Sequence, residues 1–370
     1  MYQNTRQNVG CFFSKLSIFR TTSNQRMTDQ IYMKRCIELA KKALGKTYPN
    51  PLVGSVIVYQ DTIIGEGYHH KAGENHAEIN AINSVKNKDL LKESTIYVSL
   101  EPCAHYGKTG PCANKIVEIG VKKVVIGTLD SHEKVNGKGK EILEKAGIEV
   151  VSGILEKECQ ELNKRFFTFH QQKRPYIILK WAQSNDGFLD KDFKPTSISN
   201  SLSKQFVHTL RSEEHAILIG TKTALTDNAS LTTREIVGRN PVRILIDFDL
   251  KVPHDFKIFS NEAPTLVFNS LKNSEEGHVK FIKIEKENFL DQFMQKLFEE
   301  QIQSVIIEGG SFTLTEFIKA GIWDEAVIIK NENLNLIHGT KAPEFEFEFE
   351  LEKEMQLRDN LLYFYRNNQK

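Results

Sequence analysis

One histidine, two cysteines and one glutamate are the residues of this sequence whose types and spacing could do chemistry. His76 and Glu78 lie two residues apart, and Cys103 and Cys112 each follow a proline further along the chain. One imidazole and two thiolates are three of the four ligands of a tetrahedral zinc site, which leaves the fourth position open to water. Because structural zinc sites use four protein ligands, this set predicts a hydrolytic centre in which Glu78 moves protons.

The elements predicted around these residues would hold them rigidly. Apolar residues recur at helical spacing directly after His76, at Ala77, Ala81, Ile82 and Val85. The strand-like run from Thr95 to Leu100 ends shortly before Cys103, and Cys112 opens a second helical pattern. Each candidate ligand is therefore predicted at the end of a regular element, and the helix start at Cys112 favours a thiolate.

The order of these residues is typical of zinc deaminases of nucleobases, in which H-x-E is followed by P-C-x-x-C and the glutamate is not a ligand. Here eight residues, Ala104 to Pro111, separate the two cysteines. The expanded segment PCAHYGKTGPC resembles the deaminase domain of the RibD family of bifunctional riboflavin-biosynthesis proteins. NPLVGSVIV from Asn50 and GYHHKAGENHAE from Gly67 extend the resemblance along the chain.

The resemblance implies a particular hydrolysis. The family converts 2,5-diamino-6-(5-phosphoribosylamino)pyrimidin-4(3H)-one to 5-amino-6-(5-phosphoribosylamino)uracil and releases ammonia. It implies one Zn²⁺ per chain, held by His76, Cys103 and Cys112, with Glu78 as the catalytic proton carrier. It also assigns binding of the base and the phosphate to Asn50, His69 and Lys108.

The second half of the chain resembles the reductase domain of the same family, which is related in fold to dihydrofolate reductase. The matching segments are RPYIILKWAQSNDG from Arg174, VHTLRSEEHAILIGTKTALTDNASLTTR from Val207, NPVRILID from Asn240 and IIEGGSFTL from Ile306. This resemblance implies NADPH-dependent reduction of the ribosyl group to a ribityl chain. The sequence contains no G-x-G-x-x-G motif, so it does not predict a Rossmann fingerprint.

The resemblance assigns roles to individual residues of the reductase half. On the substrate side it places Lys180, Arg211, Leu231, Arg234 and Glu308. On the cofactor side it places Gln183, Thr223, Asp227, Gly310, Ser311, Phe312, Thr313, Leu314, Thr315 and Glu316. Two arginines suit a sugar phosphate, because a guanidinium group meets phosphate oxygens in pairs.

The alternation of predicted helices and strands indicates an α/β protein of two domains. We expect residues 27–153 to form a three-layer α/β/α sandwich and residues 174–370 an α/β domain, with 154–173 as a linker. The resemblance implies that the first is cytidine-deaminase-like and the second dihydrofolate-reductase-like. Residues 1–26 are predicted to be a disordered extension, with a transit peptide or an upstream start codon as alternatives. The first helix would begin after Met27, with Thr28 or Asp29 as its N-cap.

Composition argues against several classes of protein. A formal net charge of +1 offers no electrostatic reason to bind nucleic acid. No run approaches the about 18 apolar residues that a membrane span needs. Five scattered cysteines do not form a disulfide framework, so we expect Cys36 and Cys159 to be buried thiols and the protein to be cytoplasmic. The family commonly oligomerises, which implies a homodimer.

Two other functions fit the same residues. A zinc deaminase could act on another base, a nucleoside or RNA, and carry a degenerate second domain. Alternatively, zinc could stabilise a binding protein that has no catalytic activity, although Glu78 would then have no purpose. The resemblance implies a bifunctional enzyme whose partner is a small pyrimidine ribosyl phosphate.

Overall fold

A computed structural model describes residues 25–104, 110–130, 137–345 and 349–368. The chain forms two compact units, the first ending at Phe167 and the second beginning at Thr168. The segment predicted as a linker, 154–173, is largely helical, over Glu156–Leu162 and Lys164–Gln172. The boundary between the units therefore lies within a helix, at Phe167.

The first unit is built on a five-stranded sheet. Its strands are β1 (Gly54–Tyr59), β2 (Thr62–Tyr68), β3 (Thr95–Leu100), β4 (Lys123–Thr128) and β5 (Glu149–Ser152). Its helices are α1 (residues 25–41), α2 (Ala77–Ser84), α3 (Cys112–Ile119), α4 (Lys138–Lys145) and α5 (Glu156–Leu162), and the unit boundary falls within α6 (Lys164–Gln172). The strand order is β2-β1-β3-β4-β5, with β3, β4 and β5 parallel and β1 antiparallel to both of its neighbours.

Helices cover both faces of this sheet. Val56 and Val58 belong to a buried cluster with residues of α1 and α5, whereas Ile57 between them belongs to a cluster with residues of α2, α3 and α4. This alternation is the two-residue period of a strand that is buried on both faces. The predicted three-layer α/β/α sandwich is confirmed, and Cys36 and Cys159 are buried free thiols.

The first helix begins earlier than the sequence predicted. Residues from Gln25 onward are helical, so Thr28 and Asp29 lie inside α1 and neither is its N-cap. Asp29 is buried, and its carboxylate accepts a hydrogen bond from the Tyr97 hydroxyl at 2.7 Å. This carboxylate therefore has a partner on β3. Residues 1–24 of the predicted extension lie outside the described part of the chain.

The second unit is built on a ten-stranded sheet. Its strands are β6 (Tyr176–Ser184), β7 (Ala216–Gly220), β8 (Val242–Ile246), β9 (Thr265–Asn269), β10 (Ser274–Glu276), β11 (Val279–Lys283), β12 (Ser304–Ile307), β13 (Glu325–Asn331), β14 (Glu350–Leu357) and β15 (Asn360–Arg366). Its further helices are α7 (Ser201–Glu213), α8 (Thr221–Asp227), α9 (Phe289–Glu299) and α10 (Ser311–Lys319). The strand order is β10-β11-β9-β8-β7-β12-β6-β13-β15-β14.

The central strands of this sheet, from β11 to β13, run parallel, and β10, β15 and β14 are antiparallel additions at its edges. The parallel strands are buried on both faces, one cluster including residues of α9 and α10 and the other residues of α7 and α8. Side chains beyond the carboxyl ends of parallel strands meet at one edge, where α/β proteins form their sites. The predicted α/β architecture of the second unit is confirmed.

Phe and Glu alternate over residues 345–351, and this period of two predicts a strand there, but β14 begins only at Glu350. Phe345 and Phe349 instead pack on Trp323, with ring centroids 5.3 Å and 4.6 Å away. Residues 346–348 lie outside the described part of the chain. Within that part, no helix combines the length and apolar character needed to cross a bilayer.

Gly67 of β2 lies against the backbone of α2, and it provides a test of the packing that carries the candidate site. A Cβ atom added there would lie 2.6 Å from the Ala77 carbonyl oxygen and would also collide with the Ala81 backbone nitrogen. We expect Gly67→Ala to cost about 3 kcal/mol in the free energy of unfolding, because backbone cannot move aside as a side chain can. Urea unfolding followed by circular dichroism measures this cost.

The control is Gly110→Ala, where an added methyl group meets no atom within 4 Å. This variant should unfold like the wild type. Equal midpoints for both variants would contradict the close approach of α2 to β2.

Candidate active sites

The three predicted metal ligands lie at the ends of three separate elements. His76 directly precedes α2, Cys103 follows the end of β3, and Cys112 is the first residue of α3. His76 Nδ1 lies 3.4 Å from Cys103 Sγ and 3.3 Å from Cys112 Sγ, and all ligand atoms lie within 4.8 Å of one another. Among the described residues, no other group of three histidine, cysteine or acidic side chains converges in this way.

The spacing of these atoms fits a zinc ion. Zinc bonds of about 2.0 Å to nitrogen and about 2.3 Å to sulfur at tetrahedral angles place the two donors about 3.5 Å apart. The observed distances from nitrogen to sulfur are close to that value. Hydrogen bonding from Cys112, together with that from His76, lowers the pKa of the Cys103 thiol to about 4, so this sulfur is a thiolate ready to bind metal.

Glu78 lies in the first turn of α2 and is almost fully buried, with 3% of its surface exposed. Burial, reinforced by the negative charge of Cys103, raises the pKa of this carboxyl group to about 7. A carboxyl group with a pKa near the operating pH can both accept and donate a proton. The structure therefore places a candidate proton carrier within electrostatic reach of His76, Cys103 and Cys112.

Asn50 and His69, both predicted to bind the base or phosphate, form one hydrogen-bonded pair. His69 Nδ1 lies 3.0 Å from the carbonyl oxygen of Asn75, and His69 Nε2 lies 3.0 Å from Asn50 Nδ2. Since a carbonyl only accepts, Nδ1 carries the proton and Nε2 accepts from the Asn50 amide. Burial lowers the pKa of His69 and favours this neutral form.

The pair lies beside the candidate zinc ligands. The ring of His69 meets the ring of His76 edge to face, with centroids 5.3 Å apart. The structure thus brings Asn50 and His69 to the ligand cluster. Lys108, the third predicted binding residue, lies outside the described residues.

Glu101 is a residue of this site that sequence reasoning missed. It lies two residues before Cys103, is buried, and accepts hydrogen bonds from the backbone N–H groups of Asp130, Gly137 and Lys140 at 3.2, 3.0 and 3.1 Å. Two of these donors belong to the N-terminal end of α4, which has no side-chain cap of its own at Gly137. Glu101 therefore ties the segment that carries Cys103 to α4.

In the second unit, the buried carboxylate of Glu308 contacts two other predicted substrate-side residues, Arg211 and Lys180. Glu308 lies 2.7 Å from Arg211 Nη2 and 3.5 Å from Lys180 Nζ, and all three side chains are nearly buried. Burial alone would raise the pKa of Glu308, but Arg211 and Lys180 hold it at about 2. The cluster therefore carries two cations and one anion, and its excess positive charge suits an anionic substrate.

The other predicted substrate-side residues, Leu231 and Arg234, lie on a loop that approaches this cluster. Arg211 Nη1 donates to the Thr232 carbonyl oxygen at 3.4 Å, which connects the loop to α7. Leu231 is buried and has a φ of 55°, so its side chain packs inside the protein and its backbone lies in the left-handed region. The guanidinium of Arg234 contacts Ser230 Oγ and lies 3.2 Å from Thr232 Oγ1.

The predicted cofactor-side residues centre on the start of α10. The backbone N–H of Gly310 donates to Thr223 Oγ1 at 2.8 Å, and no side chain caps the helix at Gly310. A Cβ atom on Gly309 would lie 2.8 Å from Thr313 Cβ, so glycine permits this approach. The first turn of α10 is therefore a place where backbone N–H groups can meet a phosphate.

The remaining cofactor-side residues differ in exposure. Phe312 is 76% exposed, whereas Leu314 is fully buried in the core. Ser311, Thr313, Thr315 and Glu316 are partly buried along α10. Gln183 accepts a hydrogen bond from Trp181 Nε1 at 2.7 Å. Burial, together with the nearby charge of Asp190, raises the pKa of Asp227 at the end of α8.

Comparison with known proteins agrees with both halves of this geometry. Residues 26–128 match the cytidine and deoxycytidylate deaminase zinc-binding region, and residues 175–331 match the RibD C-terminal domain. The riboflavin biosynthesis protein RibD of Aquifex aeolicus is 43% identical over 310 residues, which cover 82% of this chain and 86% of that protein. The chain belongs to the RibD family. The RibD protein of Escherichia coli is 35% identical over 321 residues, covering 82% of this chain and 87% of that protein.

Solved structures of RibD proteins share the fold. The deaminase/reductase of Thermotoga maritima is 34% identical, with a TM-score of 0.86 over 93% of this chain and 99% of that chain. RibD of Acinetobacter baumannii is 33% identical, with a TM-score of 0.82 over 92% of this chain and 99% of that chain. As a RibD protein, the chain is a two-domain riboflavin-biosynthesis enzyme with a zinc-binding deaminase domain, which is a hydrolase, and a reductase domain.

The three hydrogen bonds to Glu101 generate a prediction about stability. Glu101→Ala leaves three backbone N–H groups without their acceptor, and we expect a loss of about 2–4 kcal/mol in the free energy of unfolding. Glu118→Ala is the control, because Glu118 is exposed on α3 and pairs with Lys115 at the surface. Urea unfolding should separate the two variants clearly, since the control is expected to change stability by less than about 0.5 kcal/mol. Identical unfolding curves would show that Glu101 does not hold α4.

Proposed function

We propose that this protein catalyses two consecutive reactions of riboflavin biosynthesis. The first is hydrolytic deamination of 2,5-diamino-6-(5-phosphoribosylamino)pyrimidin-4(3H)-one, and the second is NADPH-dependent reduction of the ribosyl group of the product to ribityl. The observation that carries the proposal is the convergence of His76 Nδ1 with two cysteine sulfurs beside the buried Glu78. The Thermotoga maritima relative is described as the deaminase and reductase for these compounds.

In the deaminase, we assign the metal to His76, Cys103 and Cys112. Zinc bound there would supply a Lewis acid that favours ionisation of water to hydroxide near neutral pH, and hydroxide attacks the ring carbon. Glu78 would accept one proton of that water and pass it to the ring nitrogen. It would then take the remaining proton from the new hydroxyl group and pass it to the amine, which leaves as ammonia while the carbonyl forms. Its raised pKa, about 7, supports both transfers at neutral pH.

The base is oriented by Asn50, whose side chain keeps one N–H and its carbonyl oxygen for the substrate after donating to His69. His69 in turn is held by the Asn75 carbonyl, which keeps the amide of Asn50 in one orientation. Lys108 is proposed to contact the phosphate through its ammonium charge. Together these residues hold the ring so that the carbon bearing the amine faces Glu78.

In the reductase, the cations around Glu308 are proposed to bind the sugar phosphate. Arg211 and Arg234 donate hydrogen bonds from their guanidinium groups to the phosphate oxygens. Lys180 forms a salt bridge with Glu308 and so adds a second positive charge next to that carboxylate. Glu308 holds Arg211 and Lys180 in place, because both contact the same carboxylate. Leu231 contributes its backbone, since its side chain is buried.

NADPH is proposed to lie along the start of α10. The uncapped N-terminal turn at Gly310 and Ser311 suits its pyrophosphate, and the exposed ring of Phe312 offers an apolar surface. Thr223 holds Gly310 in position through the hydrogen bond to its N–H. Gln183, Asp227 and the partly buried residues of α10 up to Glu316 complete the proposed cofactor side.

The remaining proposals concern the state of the protein. We retain the domain limits 27–153 and 174–370, which agree with the matched segments 26–128 and 175–331 to within a residue at their starts. A homodimer is proposed through the edge of the second sheet, where β14 pairs with β15 on one side. The cytoplasm, a reducing compartment, suits the thiol ligands.

One assay tests the whole proposal. The zinc-loaded chain is incubated with the diaminopyrimidinone ribosyl phosphate, first without and then with NADPH, while ammonia release and NADPH oxidation are followed. We expect ammonia first and oxidation only after the second addition. Ammonia without oxidation would leave a deaminase alone. Inactivity on this compound together with turnover of cytidine or RNA would favour a deaminase of another substrate.

Glu78→Gln tests the proton carrier. The amide keeps the size of the side chain and removes no metal ligand, so zinc content should stay at the wild-type level. We expect deamination to fall by about 10³-fold or more, because a general acid and base is lost. NADPH oxidation with the deaminated compound supplied directly serves as the control and should not change. Wild-type ammonia release by this variant would refute the role of Glu78.

Arg211→Ala tests the cation cluster of the reductase. We expect kcat/KM for NADPH-dependent reduction to fall by about 10²-fold, because a charge-assisted contact to phosphate is lost. Arg211→Lys, which keeps the charge and loses the guanidinium fork, should fall between this variant and the wild type. Ammonia release reports on the integrity of the first unit and should be unaffected. Equal loss of both activities would contradict independent sites.

A further inference from the structure

His208 is a buried residue of the reductase unit that lies between proposed substrate-binding residues and has no role in the mechanism above. It lies on α7, is 6% exposed, and its Nδ1 is 3.0 Å from the backbone nitrogen of Arg234. A backbone N–H only donates, so Nδ1 is the acceptor and the proton of the neutral ring lies on Nε2. A side chain of α7 thus accepts a hydrogen bond from the loop that carries Leu231 and Arg234.

The same helix holds this loop at a second point. Arg211 lies three residues after His208, which places both side chains on one face of α7. Arg211 donates to the Thr232 carbonyl oxygen at 3.4 Å, and Thr232 is 1% exposed. The two contacts are of opposite kind, because α7 donates to the loop at Thr232 and accepts from it at Arg234. Together they fix the position of the backbone over these three residues.

We propose that His208 is a positioning residue for the reductase substrate, because it accepts the Arg234 N–H and so aims the Arg234 guanidinium at the phosphate of the sugar. This inference deepens the proposed function and rests on it. The contact is to the backbone of the loop, and His208 itself does not touch the reacting atoms. Its loss is therefore expected to raise KM more than it lowers kcat.

The charges around His208 explain why its ring is neutral and can accept a hydrogen bond at Nδ1. The charged groups that face it are Arg211 from its own helix, Arg234 and Glu235 from the loop, and Glu308 from the end of β12. Burial, followed by the two arginines, lowers the pKa of His208, and the two glutamates oppose that shift. The ring is therefore neutral at neutral pH and keeps Nδ1 as an acceptor.

Protonation reverses the contact. A protonated ring carries hydrogen on both nitrogens, so Nδ1 would face the Arg234 N–H as a second donor and the hydrogen bond would be lost. Because the pKa is lowered, the contact persists at neutral pH and breaks only as the pH falls through that lowered value.

Two variants of nearly the same size separate the acceptor from the volume of the side chain. His208→Asn places an amide oxygen where Nδ1 lies, and His208→Leu fills the space without an acceptor. KM and kcat for NADPH-dependent reduction are measured on the full zinc-loaded chain with the deaminated compound, and ammonia release and the melting temperature are measured on the same preparations. We expect the leucine variant to raise KM about five- to tenfold with little change in kcat, the size of one lost hydrogen bond. The asparagine variant should stay within about twofold of the wild type.

The dependence of KM on pH distinguishes the positioning role from a purely structural role, which would leave that dependence unchanged. The wild-type KM should rise on the acid side more steeply than that of the asparagine variant, which has no imidazole to protonate. The phosphate of the substrate titrates equally with both proteins, so the difference between their profiles belongs to His208.

The outcomes distinguish this inference from the function on which it rests. No NADPH oxidation by the wild type would overturn the proposed reductase function, and the role of His208 with it. Wild-type reduction with an unchanged KM in the leucine variant would overturn the role of His208 alone. If the leucine variant does not fold, the asparagine variant decides. A wild-type KM of the asparagine variant at neutral pH, with a weaker rise of KM on the acid side, supports the positioning role. A pH profile of KM identical to that of the wild type overturns it.

Discussion

Three donor atoms on separate elements must meet at zinc-binding distance, and the structure of the first unit is organised around that requirement. His76 Nδ1 is within 3.4 Å of both cysteine sulfurs, although the three residues precede a helix, follow a strand and begin another helix. The position of α2 depends on its close approach to β2 at Gly67, and the position of Cys103 on the contacts of Glu101 with α4. Packing of residues adjacent to the donors in sequence thus sets the spacing of the donor atoms.

Two buried glutamates have pKa values shifted in opposite directions by their surroundings. Glu78 is buried beside a thiolate, and its pKa rises to about 7. Glu308 is buried between Arg211 and Lys180, and these two cations lower its pKa to about 2 although burial alone would raise it. The first can therefore exchange protons near neutral pH, whereas the second remains an anion that holds two cations. Neutral imidazoles at His69 and His208 have a third kind of role, since each accepts a hydrogen bond that orients a neighbour.

The sequence predicted elements well where the signal was local. The limits of β3 and the helix after His76 follow from periodicity, and residue type and order select the three candidate metal ligands. It predicted poorly where the partner is distant in sequence. Asp29 looked like a cap until its contact with Tyr97 was seen, and the Phe-Glu alternation looked like a strand although Phe345 and Phe349 pack on Trp323. Glu101 and His208 were missed because their partners are backbone N–H groups, which no side-chain pattern reveals.

The central claim is that one imidazole and two thiolates hold a single zinc ion. X-ray absorption at the zinc edge of the loaded protein tests it most directly, because sulfur is distinguished from lighter ligands by distance and scattering. We expect one zinc per chain, with two sulfur ligands at about 2.3 Å and two nitrogen or oxygen ligands at about 2.0 Å. A shell without sulfur, a shell with more than two sulfurs, or a chain that takes up no zinc would contradict it.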